Sequence, residues 1–134
     1  MSQANIDLVR GIYASFGRGD IASVVGAMAP DVLWRLNGRR SDYPVFGDWK
    51  GPQGVQDFFR KVAELQGPVE FVQREFLASG DKVFVLGHYS WKIHKTGKTV
   101  STGFVHIFTL AGGKVRAFEE FTDTAQYAEV YRSS

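Results

Sequence analysis

Two runs in the C-terminal third of the chain carry side chains that can move a proton: His106 within Phe104-Val105-His106-Ile107-Phe108, and an acid within Glu119-Glu120-Phe121-Thr122. Imidazole titrates near neutrality, and a carboxylate that loses water among apolar groups is pushed toward it, so the two together can serve as general acid and base. Between the runs stands Ala111-Gly112-Gly113, a turn signal between two β-rich segments. A three-residue loop with a glycine in the left-handed region sets Leu110 across from Lys114, and even-numbered residues of both strands then share a face. That face carries Phe104, His106, Phe108, Phe118, Glu120 and Thr122, with His106 and Glu120 diagonal neighbours; Val105, Ile107, Ala117, Glu119 and Phe121 take the other face. A turn of two or four residues brings Glu119 to His106 instead. A lone inward histidine is more often a satisfied core residue than a catalyst. An inward acid among aromatics is the stronger signal, because its burial is costly without a purpose or a partner such as Arg35 or Arg116.

Other chemistries leave no trace. The absence of cysteine removes disulfides, thiolate nucleophiles and cysteine-held zinc or iron. His88, His94 and His106 lack the compact spacing of a ligand set, so no metal is expected. No cofactor is expected either: no Gly-x-Gly-x-x-Gly leads from strand to helix, and no Walker-type lysine or serine nucleophile elbow is present. Sixteen Lys+Arg against 14 Asp+Glu leave a net charge of +2, which argues against a nucleic-acid partner. The N-terminal Met-Ser-Gln-Ala-Asn-Ile-Asp shows no basic leader or cleavable apolar stretch, and the apolar runs are too short for a membrane span; a cytoplasmic setting is the expectation. Aromatics are the unusual feature, with 11 Phe, 5 Tyr and 3 Trp making 14% of the chain, enough to fill an oversized core or to line a pocket for a small hydrophobic or aromatic molecule.

The positioning elements are legible from periodicity. The 134 residues are the size of one domain, 1–134. Ile6, Val9, Ile12, Tyr13 and Phe16 form a helical stripe ending at Gly17 and Gly19. Asp20 caps a second short helix bearing Ile21, Val24, Val25 and Met28, closed by Ala29-Pro30. Val32, Trp34 and Leu36 alternate as a strand. The stretch from Gly38 to Gly51 has no period yet holds Tyr43, Pro44, Phe46 and Trp49, and reads as a flap able to close over a cavity mouth. Pro52 opens a third helix through Leu65, ended by Gly67-Pro68. Val69 to Ala78, Lys82 to His94, Thr99 to Leu110 and Lys114 to Thr122 read as an antiparallel meander, and Asp123 or Thr124 caps a last helical turn through Tyr127 and Tyr131.

With Asp31-Val32-Leu33-Trp34 after a helical hairpin, Gly51-Pro52-Gln53-Gly54-Val55 leading into Phe58-Phe59, Phe104 to Phe108 before a glycine turn, and Glu119-Glu120-Phe121-Thr122-Asp123-Thr124-Ala125, nearly the whole chain resembles the NTF2-like superfamily, especially its SnoaL-like, ketosteroid-isomerase-related branch. The resemblance implies an α+β cone-shaped barrel: a helical hairpin plus a third helix packed on a curved antiparallel sheet. It favours Glu120 over Glu119 as the cavity carboxylate, and implies isomerase, cyclase or hydrolase chemistry. It equally allows a non-catalytic binder of a small hydrophobic ligand or a protein-interaction module. Ketosteroid-isomerase-type chemistry pairs a carboxylate base with a separate donor, for which Tyr89, Trp91 or Trp34 could serve, although the full isomerase trio is not matched.

A two-residue Thr96-Gly97 turn pairs Tyr89 with Phe104, sets Trp91 inward and sends His88 outward; a longer turn swaps them. The expected catalytic pair is Glu120 and His106. The expected ligand wall is Trp34, Tyr43, Phe46, Trp49, Phe59, Tyr89, Trp91, Phe104 and Phe118, of which Trp34, Phe59 and Phe118 can equally be plain core. The apolar outer face, with Val105, Ile107, Ala117 and Phe121, is expected to form a homodimer.

Overall fold

The computed structural model describes residues 2–133. The N-terminal stripe becomes α1 (Ser2–Gly17), which buries Val9 and Ile12. Gly19, at φ 73°, turns the chain into α2 (Ile21–Gly26), where the Asp20 carboxylate accepts from Ser23 N at 3.1 Å and satisfies one of the free amides of the first turn. This helix stops before the expected Ala29-Pro30. Gly26 is a poor helix former and Pro30 disfavours helical geometry at Ala29, so Met28 already opens β1 (Met28–Leu36).

The expected flap is a packed wall. Residues 47–50 form β2 (Gly47–Lys50), antiparallel to β1 with Trp34 opposite Trp49. Tyr43 and Phe46 are 0% and 1% exposed, and ring contacts at 5.0 and 5.4 Å join them to Tyr127. Arg40 pins the segment by donating to the carbonyls of Phe46 and Asp48 at 2.8 and 3.1 Å, while Arg132 reaches Asp42. The apolar residues here have no period because they follow a tertiary surface rather than a regular element.

Next come α3 (Gly51–Leu65), β3 (Gln66–Ser79), β4 (Lys82–Ile93), β5 (Thr99–Ala111), β6 (Lys114–Thr122) and α4 (Thr124–Arg132), the last capped by Asp123. β3 begins at Gln66, paired with Ile93, so Gly67 and Pro68 lie inside a strand that was expected to start at Val69. The six strands run in the order β2-β1-β6-β5-β4-β3. The sheet is curved but unclosed, and it is mixed rather than antiparallel throughout, because β1 lies parallel to β6. Helices cover the concave face, and the core between the layers is aromatic: Trp34 stacks on Phe118 at 3.8 Å and lies 5.8 Å from Phe58.

Register decides which residues face that core. The β5–β6 turn is the two-residue Gly112-Gly113, both at positive φ (57° and 76°), with Ala111 opposite Lys114. That turn alone would set Glu119 beside His106. One extra residue corrects it: Leu110 pairs with Val115 and Thr109 with Ala117, leaving Arg116 bulged. The even-numbered faces are thereby restored, with His106 directly opposite Glu120 rather than diagonal to it. In the β4–β5 hairpin Ile93 N donates to Lys98 O, so the loop spans residues 94–97, two residues longer than the expected Thr96-Gly97 turn. Tyr89 faces Thr102 instead of Phe104, yet a shift of two preserves parity, and Tyr89 and Trp91 still point inward.

Candidate functional site

Three elements meet at one buried chain of hydrogen bonds. Tyr13 comes from the inward stripe of α1, His106 from the middle of β5 and Glu120 from the middle of β6. His106 Nε2 lies 2.8 Å from Glu120 Oε2, and Tyr13 OH lies 2.5 Å from His106 Nδ1. His106 and Glu120 are 5% and 7% exposed. Phe104 stacks on the imidazole at 4.2 Å, and Phe118 flanks it at 4.9 Å.

Burial, and secondarily the charge of Glu120, hold the Tyr13 phenol well above its usual range. Its single proton therefore stays in place. Where the phenol donates that proton to Nδ1, the imidazole N–H is the one on Nε2, facing Glu120. Tyr89 and Tyr127 are pushed up by the same two causes in the same order. Glu120 Oε1 makes no hydrogen bond among the described residues. Neither arginine considered at the sequence level reaches this acid: Arg35 pairs with Asp48 at 2.7 Å, and Arg116 lies 3.7 Å from Asp31.

The chain of three borders a cavity of about 90 Å³, whose wall is almost wholly apolar and aromatic. That is room for about three waters, and it is smaller than the roughly 150 Å³ cavity known to take benzene, so a ring enters only if side chains swing aside. Of the expected wall, Trp34, Phe46, Phe59, Tyr89, Trp91 and Phe118 line the cavity. Tyr43, Trp49 and Phe104 are not among its lining residues. Tyr43 sits in the second layer and donates to Gln66 Oε1 at 2.7 Å. Trp49 lies outside the cavity at the β2 edge, donating to Val45 O and covered by the Arg40 guanidinium at 4.5 Å. Phe104 lies flat over Gly87, where a Cβ would come within 2.5 Å of the ring.

Tyr13, Gln66, Phe71 and Tyr127 line the cavity without having been singled out as site residues. For Tyr13 a signal existed: a hydroxyl on an otherwise apolar inward stripe needs a polar partner. Trp34 Nε1 and Tyr89 OH are buried with no hydrogen-bond partner among the described residues; Thr122 and Tyr127 stand near the Tyr89 hydroxyl, but neither reaches bonding geometry. Among the described residues no cluster of three or more His, Asp or Glu could hold a metal ion, and no helix is long and apolar enough to cross a membrane.

Comparison with known proteins agrees with this architecture. The profile of the SnoaL-like domain matches residues 9–118. An NTF2-like protein of unknown function from Burkholderia pseudomallei superposes with a TM-score of 0.87 at 31% identity, over 99% of this chain and 100% of that one. TerC, crystallised with polyporic acid, superposes with a TM-score of 0.86 at 31% identity, over 97% of this chain and 99% of its own. An uncharacterized protein of Mycobacterium tuberculosis is 28% identical over 118 residues, 88% of each chain. With most of its length matched by the domain profile and its whole fold by NTF2-like structures, this chain belongs to the SnoaL-like family of the NTF2-like superfamily.

Proposed function

We propose that the cavity receives a small hydrophobic or aromatic molecule and that Glu120 and His106 move a proton on it, as a cofactor-independent isomerase, cyclase or hydrolase would. One observation carries the reading: a carboxylate buried among aromatic rings lines the cavity and commits only Oε2 to His106, while Oε1 makes no hydrogen bond among the described residues. Burying an acid is costly, and a purely structural role is better served by engaging both oxygens. Membership of the SnoaL-like family and the crystallisation of TerC with polyporic acid support a small-molecule site.

In this scheme Glu120 Oε1 takes a proton from a carbon or hydroxyl of the ligand and becomes a carboxylic acid. His106 keeps its Nε2 proton on Oε2, and Tyr13 holds the imidazole in that tautomer. The same proton then returns from Oε1 to a different atom of the ligand, so no cofactor is consumed. The test is exchange of solvent deuterium into a panel of small carbon acids, followed by NMR. General acid–base catalysis contributes about 10²–10⁴-fold, so Glu120→Gln is expected to reduce exchange at least 100-fold while affinity holds. Equal exchange by wild type and variant overturns the catalytic role.

A second reading, a binding protein without catalysis, draws on a different observation: both ring nitrogens of His106 have a partner within the Tyr13–His106–Glu120 chain, as in a structural polar cluster. Under that reading Glu120→Gln changes neither ligand affinity nor any turnover.

The proposal includes a second copy of the chain as partner. Val105, Ile107, Ala117 and Phe121 lie together on the convex face, where Phe121 is 47% exposed opposite Val105. A homodimer covers this apolar strip, and sedimentation at the monomer mass counts against it.

A further inference from the structure

The acid–base scheme uses one of two adjacent glutamates, and Glu119 stands outside it. Glu119 is half-buried on the convex face, with Arg35 of β1 and Ile107 of β5 as its register neighbours. Arg35 gives its guanidinium to Asp48. The group that bonds the Glu119 carboxylate is Asn37, whose Nδ2 lies 3.1 Å from Oε2.

Asn37 also reaches the neighbouring acid, through the main chain. The same Nδ2 lies 3.1 Å from Glu120 O, and Asn37 N donates to that carbonyl at 3.1 Å. A carboxylate and a carbonyl can only accept, so the NH₂ side of the amide must face them, and each of its hydrogens has its own acceptor. The place matters as much as the bonds. The parallel β1–β6 ladder runs as far as Leu36 opposite Glu120, and Asn37 is the first residue beyond β1. After it the chain enters the wall of residues 38–50 and is held close at Gly38, where a Cβ would lie 2.6 Å from the Phe46 ring. Asn37 is therefore fixed from both sides, by the β1 ladder before it and by the Phe46 contact after it.

We propose that Asn37 is the positioning residue of Glu120: it clamps the main chain at this acid, with the Glu119 carboxylate as counter-anchor on the outer face, and so holds Glu120 Oε2 on His106 Nε2. The proposal rests on the reading of Glu120 as the working acid and adds the residues that aim it. Successive side chains leave opposite faces of a strand, so a hold on the outer carboxylate and on the next carbonyl opposes rotation of β6 about its own axis, the motion that would swing Glu120 off the imidazole. The bond to Glu119 is charge-assisted, which makes it stronger than one between neutral groups. Glu119 is thereby an anchor rather than a spare acid.

The experiment is hydrogen exchange followed by NMR on Asn37→Asp, which replaces the NH₂ by oxygen at constant shape and sets a carboxylate against two acceptors. The imidazole N–H of His106 and the amides of residues 118–121 are expected to exchange about 10–100-fold faster, the worth of a hydrogen bond to a charged group, while the slowest amides of β4 keep their wild-type rates. Adding Glu119→Gln to Asn37→Asp restores the pair with the donor on the other side, and is expected to return most of the lost protection. Acceleration spread evenly over the sheet would make Asn37 an ordinary stabilising contact; that result, unchanged exchange at His106, or a double variant no better than Asn37→Asp overturns the proposal. Should Asn37→Asp not fold, Glu119→Leu removes the counter-anchor alone, and the same local acceleration, about tenfold, is required of it. No readout involves a ligand or turnover, so failure of the clamp leaves the acid–base reading of Glu120 in place, and a chain that catalyses nothing can still show the clamp.

Discussion

The two faces of this sheet each carry a histidine beside a glutamate, and the pairs have different consequences. On the concave face His106 Nε2 meets Glu120 Oε2 at 2.8 Å, with side chains 6% and 9% exposed. On the convex face His88 Nδ1 lies 3.3 Å from Glu70 Oε1, with side chains 27% and 54% exposed. Residue types match, and both histidines stand on neighbouring central strands. Water separates the cases: it reaches the outer pair through the Glu70 carboxylate and screens it, although His88 Nδ1 is buried and makes no hydrogen bond among the described residues, whereas its exclusion makes each inner partner depend on the other. Chemistry is therefore a property of the face rather than of the motif, and the face is assigned by strand register.

The most drastic way to break the comparison is to shift the strand that sorts the faces. An alanine inserted between Ala117 and Phe118 sets Phe118 opposite Ile107 and Glu119 opposite His106, so that Glu119 turns inward and Phe118 and Glu120 turn outward along β6. Loss of the cooperative unfolding transition in circular dichroism is expected; a variant as stable as wild type would show that β6 absorbs the extra residue without a change of face.

Next in size is the loss of one partner from each pair. His106→Leu leaves Glu120 buried and unpaired and strands the Tyr13 hydroxyl, for an expected loss of about 3–5 kcal/mol in urea unfolding. His88→Leu removes a half-buried partner of the exposed Glu70 and is expected to cost less than ~1 kcal/mol. Comparable losses would mean that burial does not distinguish the two sites.

Alkali sharpens the contrast in a third way. Tyr13, Tyr89 and Tyr127 are held above their usual range by burial and then by Glu120, and Tyr43 by burial and then by Tyr131. In the unfolded chain phenols lose their protons from about pH 10. Above that pH the unfolded state binds fewer protons than the folded one, so stability falls as pH rises, whereas below it these groups add no pH dependence. Phenolate absorbance from these residues should appear together with loss of secondary structure; its appearance while the protein is still folded would contradict their burial.

The smallest effect is expected on the outer face. Phe121→Lys places a charge on the exposed apolar strip without touching the cavity, so unfolding free energy per protomer at low concentration should change by less than ~0.5 kcal/mol. Sedimentation should nevertheless shift from the mass of the proposed dimer to that of the monomer. Unaltered assembly would remove this strip from the interface.

The meander was legible because its four long strands are rich in β-branched and aromatic residues and are punctuated by glycine turns, and the first and third helices because Val9 and Ile12, and Val55, Phe58 and Val62, repeat at helical spacing. The shared face of Glu120 and His106, read as diagonal neighbours, was reached through a three-residue turn that the chain does not contain; a shorter turn and the Arg116 bulge each shift parity by one and cancel, and the two are direct partners. Tyr13 was read as helix stripe: its hydroxyl calls for a polar partner, but nothing local says that the partner is a histidine 93 positions away.

By itself the sequence determined the order of the helices and of every strand but β2, the inward face of the long strands and the short set of groups able to carry a proton, because periodicity and turn chemistry act over a few residues. Tertiary structure decided that β1 runs parallel to β6, that residues 38–50 pack as a wall, that Trp49 lies outside, and that Tyr13, His106 and Glu120 share one hydrogen-bonded chain. Those outcomes depend on register and on contacts between distant segments, where one bulged residue exchanges the two faces of a strand and so decides which acid loses its water.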